Sequence, residues 1–377
     1  MISQVHKRTP SILFLLLGLC ISATPVFAQE TASFTYAKNV QVETFDTHRI
    51  ITIQNINRHS TDAYQYALVP KSEPLPQLPQ GTIIVRTPVT RAIVMTTVFV
   101  GYLDALNELD SIIGIATPEF VNNPTVQTKL RQGDLPTVKT GPALDIENLL
   151  LLKAELILTS SSGNFNFDVH PQLTRAGLPV VLSAGYMEAH PLARSEWIKF
   201  VSEFYDKRAE ADAIFSKIEE RYNAQVAQSR QMTQRPTVFS GAPYSGSWFV
   251  PGGQSYMARA IADAGGDYLW ADTPNKGGIP LDFERVFLKA ALADVWINTS
   301  SYKDLNGLFS ADNRFRRFKA AQEGSVFNNN QQLNDSGGNN IWERGIVYPD
   351  EVLSDLIKIF HPELRRDVPF YFYKQLQ

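Results

Sequence analysis

A long helix near the middle of the chain is the clearest element in the hydrophobic pattern. Between residues 207 and 231, apolar side chains recur at steps of three and four, the spacing of one face of an α-helix. These positions are Ala211, Ile214, Phe215, Ile218, Tyr222 and Val226. A shorter helical pattern over 194–205 leads into it, and no Gly or Pro occurs from 192 to 235. We therefore predict a helical segment over 194–231.

A similar pattern of residues lies on each side of this helix. The upstream copy is LDIE at 144–147, followed by an apolar run at 155–160; the downstream copy is LDFE at 281–284, followed by a run at 294–299. Each copy predicts a short amphipathic helix and then a buried strand that ends in small polar residues. The two copies favour two related α/β lobes joined by the helix, although apolar αβ units can resemble one another by chance.

The rest of the pattern divides the chain into regions. Residues 32–70 are rich in alternating and β-branched runs, and a Pro-rich piece follows them, which predicts a β-rich extension. From residue 82 onward, strand patterns alternate with helix patterns, as in parallel sheets with crossover helices. The predicted regions are a signal peptide (1–28), a β-rich extension (29–80), an N-terminal α/β lobe (81–193), a bridging helix (194–231) and a C-terminal α/β lobe (232–377).

The composition is that of an ordinary globular protein. The 377 residues are enough for two domains, and 44% of them are hydrophobic while 19% are charged. The formal net charge is −3, and we find no block of basic residues. Nucleic acid is therefore not an expected partner.

The N-terminus has the pattern of a secretory signal. Lys7 and Arg8 precede an apolar run at 11–23 that is too short to span a bilayer comfortably, and small residues at 26 and 28 follow it. We predict cleavage after Ala28 and a periplasmic location, with an uncleaved anchor as the alternative. Lipid attachment at Cys20 is less favoured, because Leu19 is large where a lipoprotein signal has a small residue.

Taken in order, these features resemble the substrate-binding proteins of ABC importers for iron complexes and vitamin B12. The resemblance runs from about residue 91 to 362. It rests on LDIE with its strand, the long helix, Ala264-Gly265-Gly266, LDFE with its strand, and an aromatic and basic loop before a closing helix. It implies two lobes with parallel sheets, bridged by one stiff helix, and a ligand in the cleft between them. The β-rich segment lies outside the core of this family.

The resemblance also implies protein partners. Glu147 and Glu284 occupy the places of the glutamates that dock these proteins onto the two membrane subunits of the permease. Charge-assisted pairs with permease arginines would set register and orientation. Each glutamate also lies in a predicted first helical turn after an Asp, so favourable interaction with the helix dipole is the alternative explanation. We expect the binding protein itself to be a monomer.

Loops that follow the strands are expected to line the cleft, because ligands of open α/β sheets bind beyond the carboxyl ends of strands. Aromatic residues among Gly, Ser and Asn suit a large planar chelate, although burial in the core is the alternative for each. Arg344 lies in a polar loop and could pair with an anionic ligand, or simply with Glu343 or solvent. The candidate ligand-binding residues are Thr97, Phe165, Tyr186, Tyr244, Trp248, Trp270, Trp342 and Arg344.

Other functions have weaker support in the sequence. The six His residues form no His-rich loop, so we expect no directly coordinated metal. The motifs of a nucleophile elbow, a phosphate loop and a dinucleotide fold are missing, so we expect neither an enzyme nor a cofactor. The favoured function is capture of a ferric siderophore for an ABC importer. Haem or cobalamin are alternative ligands, and an exported metal-ion binding protein or hydrolase is the alternative of another class.

Overall fold

The N-terminal segment forms a sheet of its own. The computed structural model describes residues 30–164 and 166–377. Neighbouring strands of this sheet are antiparallel, except for the last two, which are parallel. In sheet order they are β1 (Glu30–Ala32), β2 (Val40–Thr44), β3 (Arg49–Ile53), β4 (Tyr64–Pro70) and β5 (Ile83–Thr87). The predicted β-rich extension is confirmed, and its sheet continues past the predicted boundary at residue 80.

The N-terminal lobe is built on a parallel sheet. Its strands have the order β10-β9-β6-β7-β8, and short apolar runs such as those of β6 and β9 are buried in its centre. In chain order its elements are β6 (Ala92–Val94), α1 (Val98–Ala105), β7 (Ile112–Ala116), α2 (Pro124–Gln132), β8 (Thr137–Val138), α3 (Ile146–Leu151), β9 (Leu156–Ser160), α4 (His170–Arg175) and β10 (Val180–Ser183).

The predicted helical segment over 194–231 consists of two helices, α5 (Pro191–Ser202) and α6 (Arg208–Ser229). The chain leaves α5 through a 3₁₀ turn, and Asp206 then adopts a left-handed conformation with φ of 55°, which ends the first helix. The predicted apolar stripe of α6 is buried except for Ile214, which is partly buried, and α6 packs against α5 and a later helix near the C-terminus. The long helix of this fold is therefore α6, with 22 residues.

The C-terminal lobe contains a mixed sheet and a small antiparallel one. The main order is β14-β11-β16-β17-β18, parallel except for β18, and the small sheet has the order β12-β13-β15. Its elements are β11 (Thr237–Ser240), β12 (Pro243–Tyr244), β13 (Ser247–Pro251), α7 (Tyr256–Asp263), β14 (Asp267–Tyr268), β15 (Gly278–Leu281), α8 (Phe283–Ala290), β16 (Val295–Ile297), α9 (Leu305–Ala311), α10 (Lys319–Gln322), β17 (Val326–Asn328), α11 (Arg344–Val347), α12 (Pro349–Phe360) and β18 (Lys374–Gln375).

This architecture confirms the predicted fold class of two α/β lobes with parallel central sheets. None of the helices within the described ranges combines the length and the apolar character needed to cross a membrane.

Two buried glutamates attach the N-terminal extension to the rest of the chain. The carboxylate of Glu196, in α5, accepts hydrogen bonds from the backbone N–H groups of residues 35, 36 and 37 at 2.9, 2.8 and 2.8 Å. Glu188, just before α5, accepts from those of residues 38 and 39, each at 3.0 Å. Five consecutive backbone amides are thus satisfied by two side chains, which fixes where the extension lies.

Candidate functional site: the interlobe cleft

A large cavity lies between the two lobes, at the carboxyl ends of strands from both of their main sheets. It has a volume of about 840 Å³. The N-terminal lobe contributes residues 186–188, which follow β10. The C-terminal lobe contributes the ends of three strands, with Ser240 as the last residue of β11, Asn298 after β16 and Asn329 after β17. This is the position expected for a ligand of open α/β sheets.

Two further cavities extend this one along the junction of the lobes. A cavity of about 630 Å³ shares Ser300, Asn339 and Trp342 with the first. A third, of about 290 Å³, shares Thr96 with the second and Tyr186 with the first. The three cavities therefore form one continuous groove, which we call the interlobe cleft.

The walls of the interlobe cleft are mainly neutral polar groups and aromatic rings. Ser, Thr and Asn side chains come from the strand ends of both lobes. Several large aromatic side chains around it are exposed to solvent although they are apolar: Phe120, Phe167, Tyr186, Phe249 and Trp342. Exposed apolar side chains that gather around one groove mark a binding surface, and flat rings suit a ligand with planar or greasy faces.

Three of the predicted ligand-binding residues line the interlobe cleft. Tyr186 lies at the junction of two cavities, where its hydroxyl donates a hydrogen bond to the carbonyl oxygen of Ser161 at 2.7 Å. Trp342 joins the first and second cavities, and Thr97 lines the second. Their contact with a ligand stays a prediction, but their position in the groove is established.

The predictions for Trp248 and Trp270 are wrong, because both side chains are buried outside the cleft walls. Trp248 is 1% exposed, packs against Phe239 and Trp296, and donates its indole N–H to the carbonyl oxygen of Ser240. Side chains alternate between the two faces of β13, so Trp248 points into the core and Phe249 points to the cleft. Trp270 is 6% exposed and packs beside Tyr268.

Tyr244 and Arg344 also lie outside the cleft walls. Tyr244 is 70% exposed at the end of β12 and lines none of the three cavities. The guanidinium of Arg344 makes two hydrogen bonds to the carboxylate of Glu351, at 2.9 and 2.6 Å, and lies over the ring of Tyr348. Arg344 therefore has a carboxylate partner within the chain, and its pairing with an anionic ligand stays a prediction. Phe165 lies outside the described residues.

Several residues of the cleft wall are not among the predicted ones, including Arg58, Phe249 and Lys276. Arg58 belongs to the N-terminal extension, in the loop between β3 and β4, and no local pattern marks it. The extension is therefore part of the site.

Comparison with known proteins identifies the family. The family model described as "Periplasmic binding protein" matches residues 93–333, well over half of the chain. The chain belongs to this periplasmic binding protein family. Proteins of the family bind solutes for transport and are not enzymes, which confirms the expectation of a non-catalytic protein.

Relatives and solved structures agree with this assignment. An uncharacterized lipoprotein of Methanocaldococcus jannaschii is 26% identical over 354 residues, covering 87% of this chain and 81% of the relative. A periplasmic heme binding protein from Pseudomonas aeruginosa aligns with a TM-score of 0.54 at 19% identity, covering 72% of this chain and 93% of that one. An Fe³⁺-hydroxamate transport protein from Saccharomonospora viridis aligns with a TM-score of 0.53 at 17% identity. The alignment covers 71% of this chain and 93% of that one. These structures share the fold.

Family membership and the lipoprotein relative indicate an extracellular or periplasmic location for this binding protein. The predicted signal peptide and Cys20 lie outside the described residues, so cleavage and lipid attachment stay predictions.

Beside the interlobe cleft, a buried carboxyl group links the two halves of the binding protein. Glu343 follows the cleft residue Trp342 and is 3% exposed. Its Oε2 accepts a hydrogen bond from the backbone N–H of Asn122 at 2.8 Å, so the C-terminal half is attached here to the N-terminal lobe. Burial raises the pKa of the Glu343 carboxyl to about 7, although the N–H groups of Asn122 and Asn123 oppose this shift.

We expect Glu343 to make the stability of the binding protein depend on pH. Its folded-state pKa lies above the ordinary value of 4.5, so the native state holds a proton that the unfolded chain releases between about pH 4.5 and 7. The stabilisation from this proton is full below that window and is lost as pH rises through it. In Glu343→Gln, residue 343 cannot titrate, so the loss of unfolding free energy across this pH window should be smaller by on the order of 2 kcal/mol.

The measurement is the urea-unfolding free energy of both proteins at pH 5 and pH 7.5. Other titrating groups, such as the partly buried His190, are shared by the two proteins and cancel in the difference. Equal pH slopes in wild type and Glu343→Gln would contradict this role of Glu343.

The predicted docking glutamates occupy matching positions in the two lobes. Asp145 accepts a hydrogen bond from the backbone N–H of Asn148 at 3.1 Å, and Asp282 accepts from that of Arg285 at 2.7 Å, so the aspartates cap helices α3 and α8. Glu147 and Glu284 are exposed. Glu284 makes an exposed ion pair with Arg314 at 3.0 Å. Since the aspartates do the capping, neither glutamate is needed to cap its helix.

Proposed function

We propose that this chain is the substrate-binding component of an ABC importer and captures an iron chelate, a ferric siderophore, in the interlobe cleft. The observation that carries the proposal is the groove itself, formed by strand ends of both lobes and edged by exposed aromatic rings. Its main cavity of about 840 Å³ has the size of a small-molecule site. Haem and cobalamin are alternative ligands of the same type.

The chemistry of the cleft walls supports a chelate rather than a bare ion. Within residues 30–164 and 166–377, no three His, Cys, Asp or Glu side chains are grouped so that they could hold a metal. A bare transition metal needs such ligands, whereas a chelate brings its own. The solved structures that share this fold include proteins named for heme and for Fe³⁺-hydroxamate, which supports an iron complex as the class of ligand.

Delivery to the permease is the second part of the proposal. We propose that Glu147 and Glu284 pair with arginines on the two membrane subunits. Leu151 and Leu288 each lie four residues, about one helical turn, after a glutamate and are 78% and 87% exposed. A charged group beside a protruding apolar side chain, repeated on both lobes, suits a two-fold partner that buries the leucine and pairs with the carboxylate.

Native mass spectrometry tests the ligand class. Protein purified from iron-poor cultures of cells that make siderophores is expected to carry an added mass that is released on denaturation and contains iron. An apo sample should recover this species when ferric siderophores are added. A bare metal ion in place of the chelate, or turnover of a chromogenic ester by the purified protein, would contradict the proposal.

The aromatic cleft wall gives a more specific prediction. Trp342→Ala should weaken binding of the captured chelate about 10- to 100-fold, because a large apolar contact is removed from the centre of the groove. Tyr244→Ala is the matched control, since Tyr244 is exposed but lies outside the cavities, and it should change the affinity less than twofold. Isothermal titration calorimetry measures both. Similar losses in the two variants would place the ligand elsewhere.

A further inference from the structure

The loop that carries Arg58 is fixed against the N-terminal lobe. On one side of Arg58 lie Ile56 and Asn57, which are 2% and 8% exposed. The side-chain amide of Asn57 donates to Oγ of Ser161 at 2.8 Å, and its Oδ1 accepts from the backbone N–H of His59 at 2.9 Å. The buried side chain of Asn57 therefore fixes the chain on both sides of Arg58. Arg58 itself is exposed and lines the cleft.

Arg58 reaches across the cleft to the C-terminal lobe. A Cβ atom added at Gly277 would overlap the guanidinium group of Arg58. The guanidinium thus lies directly on the backbone of the loop before β15, and a side chain at residue 277 would have to displace it. Lys276, the neighbour of this glycine, lines the same cavity and is exposed. Two cations from different parts of the chain consequently line the main cavity, one against Gly277 and the other on the residue before it.

Among the described residues that line the main cavity, two are cationic and one is acidic. Arg58, Lys276 and Glu188 are the charged residues that line the main cavity. Glu188 is 5% exposed, and its carboxylate accepts the hydrogen bonds from residues 38 and 39 and one from the indole N–H of Trp197. In the part of the chain that the structure describes, neither Arg58 nor Lys276 has a hydrogen-bond or ion-pair partner.

The next acidic group along the groove is also occupied. Asp168, in the third cavity, accepts hydrogen bonds from Ser161, Ser162 and Gly163. Its carboxylate is therefore held by its own loop, and the two cations remain available to a ligand.

We propose that Arg58 and Lys276 bind a carboxylate group of the ligand, so that the N-terminal extension selects anionic, carboxylate-bearing chelates. The proposal rests on the proposed function and narrows its substrate class. A guanidinium presents two parallel N–H groups to a carboxylate, and an ammonium adds a third donor from the opposite wall. A ligand carboxylate would thereby join the extension to the C-terminal lobe across the groove.

Four ligands in two matched pairs test the proposal by quenching of tryptophan fluorescence. Haemin has free propionates and its dimethyl ester does not; ferric citrate is a carboxylate chelate and ferrichrome is a neutral hydroxamate. Wild-type protein is expected to bind the carboxylate member of at least one pair ten times more tightly than the neutral member. A preference within the haemin pair would indicate that the protein recognises a porphyrin propionate. A preference for ferric citrate over ferrichrome would indicate that it recognises a siderophore carboxylate.

Three variants and one control locate the effect. Arg58→Gln and Lys276→Gln should each weaken binding of the carboxylate member about 10- to 100-fold, because each removes charge-assisted hydrogen bonds. The affinity for the neutral member should change less than threefold. Gly277→Ala keeps every charge but displaces the guanidinium, and should weaken binding of the carboxylate member severalfold. Arg230→Gln removes an exposed arginine just after α6 and should leave all four affinities unchanged.

Two results would overturn the inference, and they differ in what they say about the function. The first is that wild-type protein binds ferrichrome as tightly as ferric citrate, or the dimethyl ester as tightly as haemin, with no change in affinity in Arg58→Gln. In that case chelate capture stands and carboxylate selection fails. If wild-type protein binds none of the four ligands, the proposed capture of an iron chelate fails and the inference fails with it. Equal melting temperatures of the variants establish that each is folded.

Discussion

A chain that carries both Glu147→Ala and Glu284→Ala is expected to bind its ligand with unchanged affinity and to support little or no transport. The two carboxylates are exposed on helices α3 and α8 and line none of the three cavities of the cleft. Their helices keep the capping aspartates, so the fold should be retained. Loss of both charged contacts should weaken docking enough to reduce uptake at least tenfold.

Uptake of labelled chelate by a strain that lacks this protein, complemented with each variant, measures the effect. Glu210→Ala with Glu220→Ala is the matched control, because these exposed glutamates lie on α6 and removing them causes the same change in charge. The control should restore uptake to the wild-type level. Normal uptake by the Glu147 and Glu284 double variant would refute the docking proposal.

The second large effect concerns the attachment of the extension. Glu196→Ala is expected to lower the free energy of unfolding by about 3–5 kcal/mol, because the side chain is fully buried and accepts three backbone hydrogen bonds. The change leaves three N–H groups without their acceptor. It also removes one partner of the Lys199 ammonium, which is 3.3 Å from Glu196 and retains Asp212 at 3.1 Å.

Urea unfolding of Glu196→Ala beside the exposed-site control Glu210→Ala measures this loss. The control should stay within about 0.5 kcal/mol of wild type, as is usual for surface substitutions. A loss below 1 kcal/mol in Glu196→Ala would show that the extension is held mainly by other contacts.

The elements that could be predicted from the sequence are those set by local patterns. The buried stripe of α6, the capped helices after Asp145 and Asp282, and the strand ends that supply the cleft all follow from spacing within a few residues. The pattern divided the helical region at residue 206, but it did not show that Asp206 ends the first helix in a left-handed conformation, because no Gly or Pro marks this position.

The candidate site was predicted less well because its side chains are placed by contacts between distant segments. In β13, Trp248 was predicted to line the cleft, but it is buried in the core and its neighbour Phe249 lines the cleft instead. Local sequence does not indicate which face of that strand is buried. Arg344 meets Glu351 only because α11 and α12 adjoin. Arg58 enters the cleft because a whole sheet is fixed beside the N-terminal lobe, which local reasoning could not show.

The most direct test of the account is the position of iron in crystals grown with the captured ferric chelate. An anomalous difference map recorded at the iron edge is predicted to show one strong peak inside the interlobe cleft, between Tyr186 and Trp342. A peak outside the groove, in crystals of a protein that binds the chelate in solution, would contradict the claim that the two lobes hold their solute between them.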